Sequence, residues 1–149
     1  MTLVRDAMQP NVVWLTRDQS LSEAAAVLAE HDIGGAPVCD REGRILGMLT
    51  KTDLTEYAAR SGLHRSVEAA MTPEVISVGS GEALERAISV MAFEGVHRLL
   101  VLDEQSRLAG IITSMDVLRE LAGFGRLATR RVVAMAPPRD EPAHTGRWP

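Results

Sequence analysis

Gly47-Met48-Leu49-Thr50-Lys51-Thr52-Asp53 and Gly110-Ile111-Ile112-Thr113-Ser114-Met115-Asp116 share one pattern: glycine, two apolar residues, threonine, two variable residues, aspartate. They lie 63 positions apart. Working outward at that offset, the two halves of the chain align without a gap. Ala7, Met8, Pro10 and Val12 fall on Ala70, Met71, Pro73 and Val75. Leu21, Ala24 and Val27 fall on Leu84, Ala87 and Val90, and Val38, Asp40 and Arg44 on Val101, Asp103 and Arg107. A fixed internal offset over this length is a structural repeat used twice. The reading places repeat 1 at 1–60, a linker at 61–65, repeat 2 at 66–125, and a basic, Pro-rich tail at 126–149, expected to be partly disordered.

Each repeat reads β-α-β-β-α. In the first, Val12 to Leu15 is a short apolar strand. Ser20 and Glu23 form a capping box, in which hydroxyl and carboxylate satisfy orphan N–H groups at a helix start. Leu21, Ala24, Ala25 and Leu28 then follow as one helix face. Ala36 to Cys39 is a strand, Asp40 to Gly43 a turn, Ile45 to Leu49 a buried strand, and Thr50 opens a helix ending near Ala59. In the second, the strands are Val75 to Val78, Leu99 to Leu102 and Leu108 to Ile112. The helix between the first two carries Leu84, Ala87, Ile88 and Met91, and Ser80 or Gly81 is the poorer candidate for its start. A unit of about 60 residues is marginal alone. The expected fold class is α/β (α+β), two tandem repeats packed with pseudo-two-fold symmetry around one shared core.

Composition excludes several function classes. The chain has 149 residues, 46% hydrophobic and 24% charged, an ordinary globular balance. Aromatics are 3%, too few for a base-stacking platform. The body is acidic, while the last stretch carries Arg126, Arg130, Arg131, Arg139 and Arg147 against Asp140 and Glu141. An acidic body argues against nucleic acid as a partner. The single cysteine, Cys39, excludes a disulfide framework and any multi-cysteine metal site. No apolar run is long enough to span a membrane, and the N-terminal stretch does not read as a signal peptide. The expected location is cytoplasmic. His31, His64, His97 and His144 lack metal-ligand spacing, and no nucleophile elbow or phosphate loop occurs. The chain reads as no enzyme, with no catalytic residue, metal or catalytic cofactor.

The β-α-β-β-α order, the Met-x-Pro before each first strand and the duplicated Gly-h-h-Thr-x-x-Asp (h, apolar) resemble the CBS domain, and the pair resembles a Bateman module. The resemblance covers about 1–123. It implies regulatory binding of an adenine nucleotide (AMP, ADP or ATP) in clefts between the repeats, assembly as a homodimer, and signalling to an unknown effector protein. Carried over residue by residue, cleft A would combine Thr50, Thr52 and Asp53 with Val75, Ile76, Val96, His97 and Arg98. Cleft B would combine Thr113, Ser114 and Asp116 with Val12, Val13, Gly35, Ala36 and Pro37. Val96-His97-Arg98 resembles the phosphate-binding stretch of nucleotide-sensing CBS pairs. Gly34-Gly35 stands at the matching place in cleft B, so a cationic phosphate partner is missing there.

The chemistry of these residues agrees with the resemblance. A carboxylate accepts hydrogen bonds from a ribose diol, and a Thr hydroxyl with helix N-terminal N–H groups suits a phosphate. Two readings stay open at this point. Either Thr50 with Asp53 and Thr113 with Asp116 hold a ligand, or they cap helices only. The corresponding alternative function is a dimerising protein-interaction module with vestigial clefts.

Overall fold

The computed structural model describes residues 1–124. In chain order the elements are α1 (Val4–Ala7), β1 (Leu15–Thr16), α2 (Leu21–Glu30), β2 (Gly35–Cys39), β3 (Ile45–Thr50) and α3 (Lys51–Arg60), followed by α4 (Val67–Ala70), β4 (Ser77–Gly79), α5 (Leu84–Glu94), β5 (Arg98–Leu102), β6 (Leu108–Thr113) and α6 (Ser114–Leu121). The β-α-β-β-α order is present twice, each time preceded by a four-residue helix that the sequence reading lacks. Two three-stranded sheets form, ordered β1-β2-β3 and β4-β5-β6. In each, the first strand runs parallel to the second and the second antiparallel to the third.

The chain divides into two compact units that do not follow the sequence repeats. One is Val13–Val75. The other joins Met1–Val12 to residues 76–124. The lead-in of each repeat therefore belongs to the sheet of the other. In the second unit, Val4 N–H donates to the Glu82 carbonyl at 2.9 Å and Leu84 N–H to the Thr2 carbonyl at 3.0 Å. In the first, Val67 N–H donates to the Gln19 carbonyl at 2.8 Å and Leu21 N–H to the Arg65 carbonyl at 2.8 Å. These bonds follow the 63-residue offset. Val4 and Val67, both fully buried, anchor the two lead-ins. Burying one valine contributes about 2 kcal/mol, enough to hold a helix too short to be stable alone.

The expected single shared core is a pair of cores among the described residues. Val4, Ala7, Leu84, Ala87, Leu99, Val101 and Ile112 belong to one cluster, and Leu15, Leu21, Leu28, Ala36, Val38 and Leu49 to the other. Each sheet is covered by its own helices and by the borrowed lead-in, which closes the core locally. Two strand starts also differ from expectation. The apolar runs at Val12 and Val75 do not open the strands; the continuous ladders start at Leu15 and at Ser77. Val12 is buried all the same, so its apolarity reflects packing rather than a ladder.

The helix starts follow local chemistry. Glu23 N–H donates to Ser20 Oγ at 3.1 Å, and Ser20 N–H to Glu23 Oε2 at 3.0 Å, which completes the expected box. The matching helix α5 begins after Ala83 without a side-chain cap. The start expected at Ser80 or Gly81 is thus displaced, and Glu82 instead accepts the Gly79 N–H at 2.7 Å. Ser20→Ala is expected to cost about 1 kcal/mol in urea unfolding. An unchanged midpoint would mean that the Glu23 side alone holds the cap.

Candidate functional site

The two Gly-h-h-Thr-x-x-Asp stretches form the corners where the third strand of each sheet enters a helix. Backbone needs dictate the geometry. Thr50 and Thr113 leave the strand in extended conformation, so the first helical N–H groups lack carbonyl partners within their helix. Asp53 N–H donates to Thr50 Oγ1 at 3.3 Å, and Asp116 N–H to Thr113 Oγ1 at 3.2 Å. In return, Asp53 Oδ2 accepts Thr50 N–H at 2.8 Å and its hydroxyl at 2.9 Å. Asp116 Oδ2 accepts Thr113 N–H at 2.9 Å and its hydroxyl at 2.8 Å. The next N–H is also used. Lys51 donates to the Gly34 carbonyl at 2.9 Å and Ser114 to the His97 carbonyl at 3.0 Å. Both corners therefore cap helices, and each carboxylate commits one oxygen to the task.

The corners differ at the second oxygen. Asp116 Oδ1 accepts Gln9 Nε2 at 3.0 Å and faces Arg119 Nη1 at 3.4 Å. Asp116 is buried, 5% exposed. Asp53 is half-buried, and its Oδ1 receives no bond from the described residues. Sequence reasoning missed Gln9 and Arg119. The 63-residue offset marks both as differences between the repeats, Gln9 against Thr72 and Arg119 against Glu56, but does not name Asp116 as their partner.

The remaining predicted site residues are placed as follows. Thr52 is exposed on the first turn of α3, with Val13 and Val75 half-buried in the same unit. Gly35, Ala36 and Pro37 are buried in β2, where Gly35 pairs with Thr50. Val12, Ile76, Val96, His97 and Arg98 belong to the other unit, with Thr113, Ser114 and Asp116. There Arg98 opens β5 directly opposite Thr113. His97 is exposed and Val96 half-buried. Arg98 is half-buried, and no carboxylate among the described residues pairs with it. Partial burial pulls its guanidinium below its ordinary pKa, a cost that a carboxylate or phosphate would offset.

Burial pushes the Cys39 thiol up to about 12, far from a reactive thiolate. Among the described residues, no group of three or more His, Cys, Asp or Glu is placed to hold a metal ion. No described helix is long and apolar enough to cross a membrane.

Two three-stranded sheets, each carrying one Thr-x-x-Asp corner, define a tandem module, and the family match agrees: the CBS domain matches residues 4–60 and 66–123. The chain belongs to the CBS domain family. It is similar to Hypoxic response protein 1 of Mycobacterium tuberculosis, 32% identical over 124 residues, spanning 81% of this chain and 86% of that protein. Among solved structures it resembles the CBS domain pair of protein MJ0100 in complex with 5′-methylthioadenosine and S-adenosyl-L-methionine. The TM-score is 0.77 at 28% identity, over 83% of this chain and 98% of that one. It also resembles CBSX2 in complex with AMP, with a TM-score of 0.71 at 25% identity over the same shares of the two chains.

Proposed function

We propose that this chain is a regulatory sensor of an adenine nucleotide (AMP, ADP or ATP) and passes the bound state to a partner chain, acting as a cytoplasmic homodimer without catalysis of its own. The observation that carries the reading is Arg98, a half-buried cation with no acidic partner among the described residues. Its planar fork of donors suits a phosphate. Asp53 supports it from the other repeat, with one carboxylate oxygen open to a ribose hydroxyl. Thr50, Thr52, Val75, Ile76, Val96 and His97 would complete the same site, the aliphatic residues taking the base. The complexes of MJ0100 and CBSX2 with adenosine compounds support the ligand class. A ligand signals only through its differential affinity for two states of the protein.

Titration calorimetry with AMP, ADP, ATP and adenosine tests the reading on wild type, Asp53→Ala and Arg98→Ala. Arg98→Ala is expected to weaken AMP more than tenfold while sparing adenosine, and Asp53→Ala to weaken both. No heat from any of the four, or equal effects of the two variants on AMP and adenosine, would sink it.

One observation favours the interaction-module reading as a second. Met115, Leu118 and Leu121 stand 51%, 56% and 67% exposed along α6. The matching positions on α3 are Thr52, Thr55 and Ala58. An apolar row on one helix and its absence on the other marks a face for protein contact. A melting temperature that ignores every added nucleotide would move weight to this reading.

A further inference from the structure

We infer that Gln9 closes the second Thr-x-x-Asp corner to ligands, so that the chain binds one adenosine compound rather than two; the count of one rests on the function proposed above. An ionised carboxylate offers about four acceptor positions. At Asp116 all four are in use. Oδ2 takes the Thr113 N–H and hydroxyl, and Oδ1 takes the Gln9 amide at 3.0 Å and Arg119 at 3.4 Å. At Asp53 the two positions on Oδ1 remain.

The difference is written in two pairs of residues. Gln9 and Thr72 occupy the same place in their units. Gln9 and Ile111 exchange backbone bonds of 2.8 and 3.0 Å, and Thr72 and Met48 exchange bonds of 2.8 and 2.9 Å. The backbone is thus fixed at both positions, and only side-chain length varies. A glutamine amide reaches the carboxylate from there; a threonine branch ends too early and stays exposed. The second pair is Arg119 and Glu56. Arg119 donates to Asp116, whereas a glutamate at the matching position has nothing to donate. A ribose hydroxyl seeking Asp116 would have to displace the Gln9 amide, stranding a donor beside a buried acid.

Equilibrium dialysis of adenosine against the full chain tests this. Adenosine carries no phosphate, so the absence of a cation at Gly34-Gly35 does not bias the result. Wild type is expected to hold one adenosine per chain and Gln9→Thr two. Thr72→Gln, which would cover Asp53, is expected to weaken the wild-type site at least tenfold. Two adenosines on wild type, one lost in Asp116→Asn, would overturn the inference. So would no added molecule in both Gln9→Thr and Gln9→Thr with Arg119→Ala; if wild type still binds one, the proposed function survives that result. No binding to wild type with one adenosine gained in Gln9→Thr would do the reverse, keeping the closing role and removing the proposed function. Binding to none of the proteins removes both. If Gln9→Thr fails to fold, Thr72→Gln decides alone, and an unchanged affinity there overturns the inference.

Discussion

Gly47→Ala and Gly110→Ala are each expected to destabilise the protein by about 3 kcal/mol, although alanine is the smallest possible addition. Neither glycine has the left-handed backbone that would make alanine costly by itself. The cost is contact. A Cβ at Gly47 would lie 2.5 Å from the Thr72 carbonyl oxygen, and one at Gly110 2.6 Å from that of Gln9. The atom met is backbone, held by a reciprocal pair of bonds, so it cannot swing aside as a side chain would. Relief requires lifting the lead-in off the third strand, which loosens the Met48–Thr72 or Gln9–Ile111 pair and exposes part of the core beneath. Urea unfolding of each variant measures the effect. A change below about 0.5 kcal/mol in either would show that the lead-in yields freely, as ordinary surface sites do.

Asp116→Ala is expected to cost on the order of 3 kcal/mol, against about 1 kcal/mol for Asp53→Ala. Both substitutions remove the return half of a capping box. At Asp53 little else is lost, and water reaches the freed Thr50 groups. At Asp116 the site is buried and the Gln9 amide also loses its acceptor, while Arg119, being partly exposed, finds solvent. The larger cost therefore comes from the space left by a buried side chain and from the half-buried Gln9 amide without its acceptor, more than from the ion pair. Chemical denaturation of the two variants side by side gives the comparison. Equal losses would mean that Gln9 contributes nothing beyond the cap.

The repeat, the capping boxes and the strand–turn–strand segments were legible because their causes are local. Ser20 and Glu23, Thr50 and Asp53, Thr113 and Asp116 each sit three residues apart, within reach of their own helix start. Asp40 and Asp103 meet Arg44 and Arg107 four residues on, across a turn. What stayed illegible depends on partners far along the chain. Val4-Arg5-Asp6-Ala7 has no helical signal of its own and becomes α1 only because Glu82 and Ser80 accept its first N–H groups. Gln9 reaches Asp116 across 107 positions of sequence, so no window could have joined them. The same holds for Val12 and Val75, whose apolarity is real but whose use as strands is not. Within the candidate site, residue types were readable by pattern, whereas the occupancy of each carboxylate oxygen required coordinates.

The borrowed lead-ins impose an order on the birth of the molecule. As the chain leaves the ribosome, Met1–Val12 emerges before everything it packs on, since its sheet includes β6, which ends at Thr113. Val4 and Ala7 must wait, uncovered, through the synthesis of a whole intervening unit. The lead-in around Val67 faces no such delay, because everything it docks onto has already been made. The Val13–Val75 unit can therefore settle before the other, which closes only once β6 has been made, across a loop of about a hundred residues. Contacts of that span slow folding and leave apolar groups open to capture by chaperones or neighbouring chains. The two repeats, alike in pattern, are unlike in their histories on every molecule made.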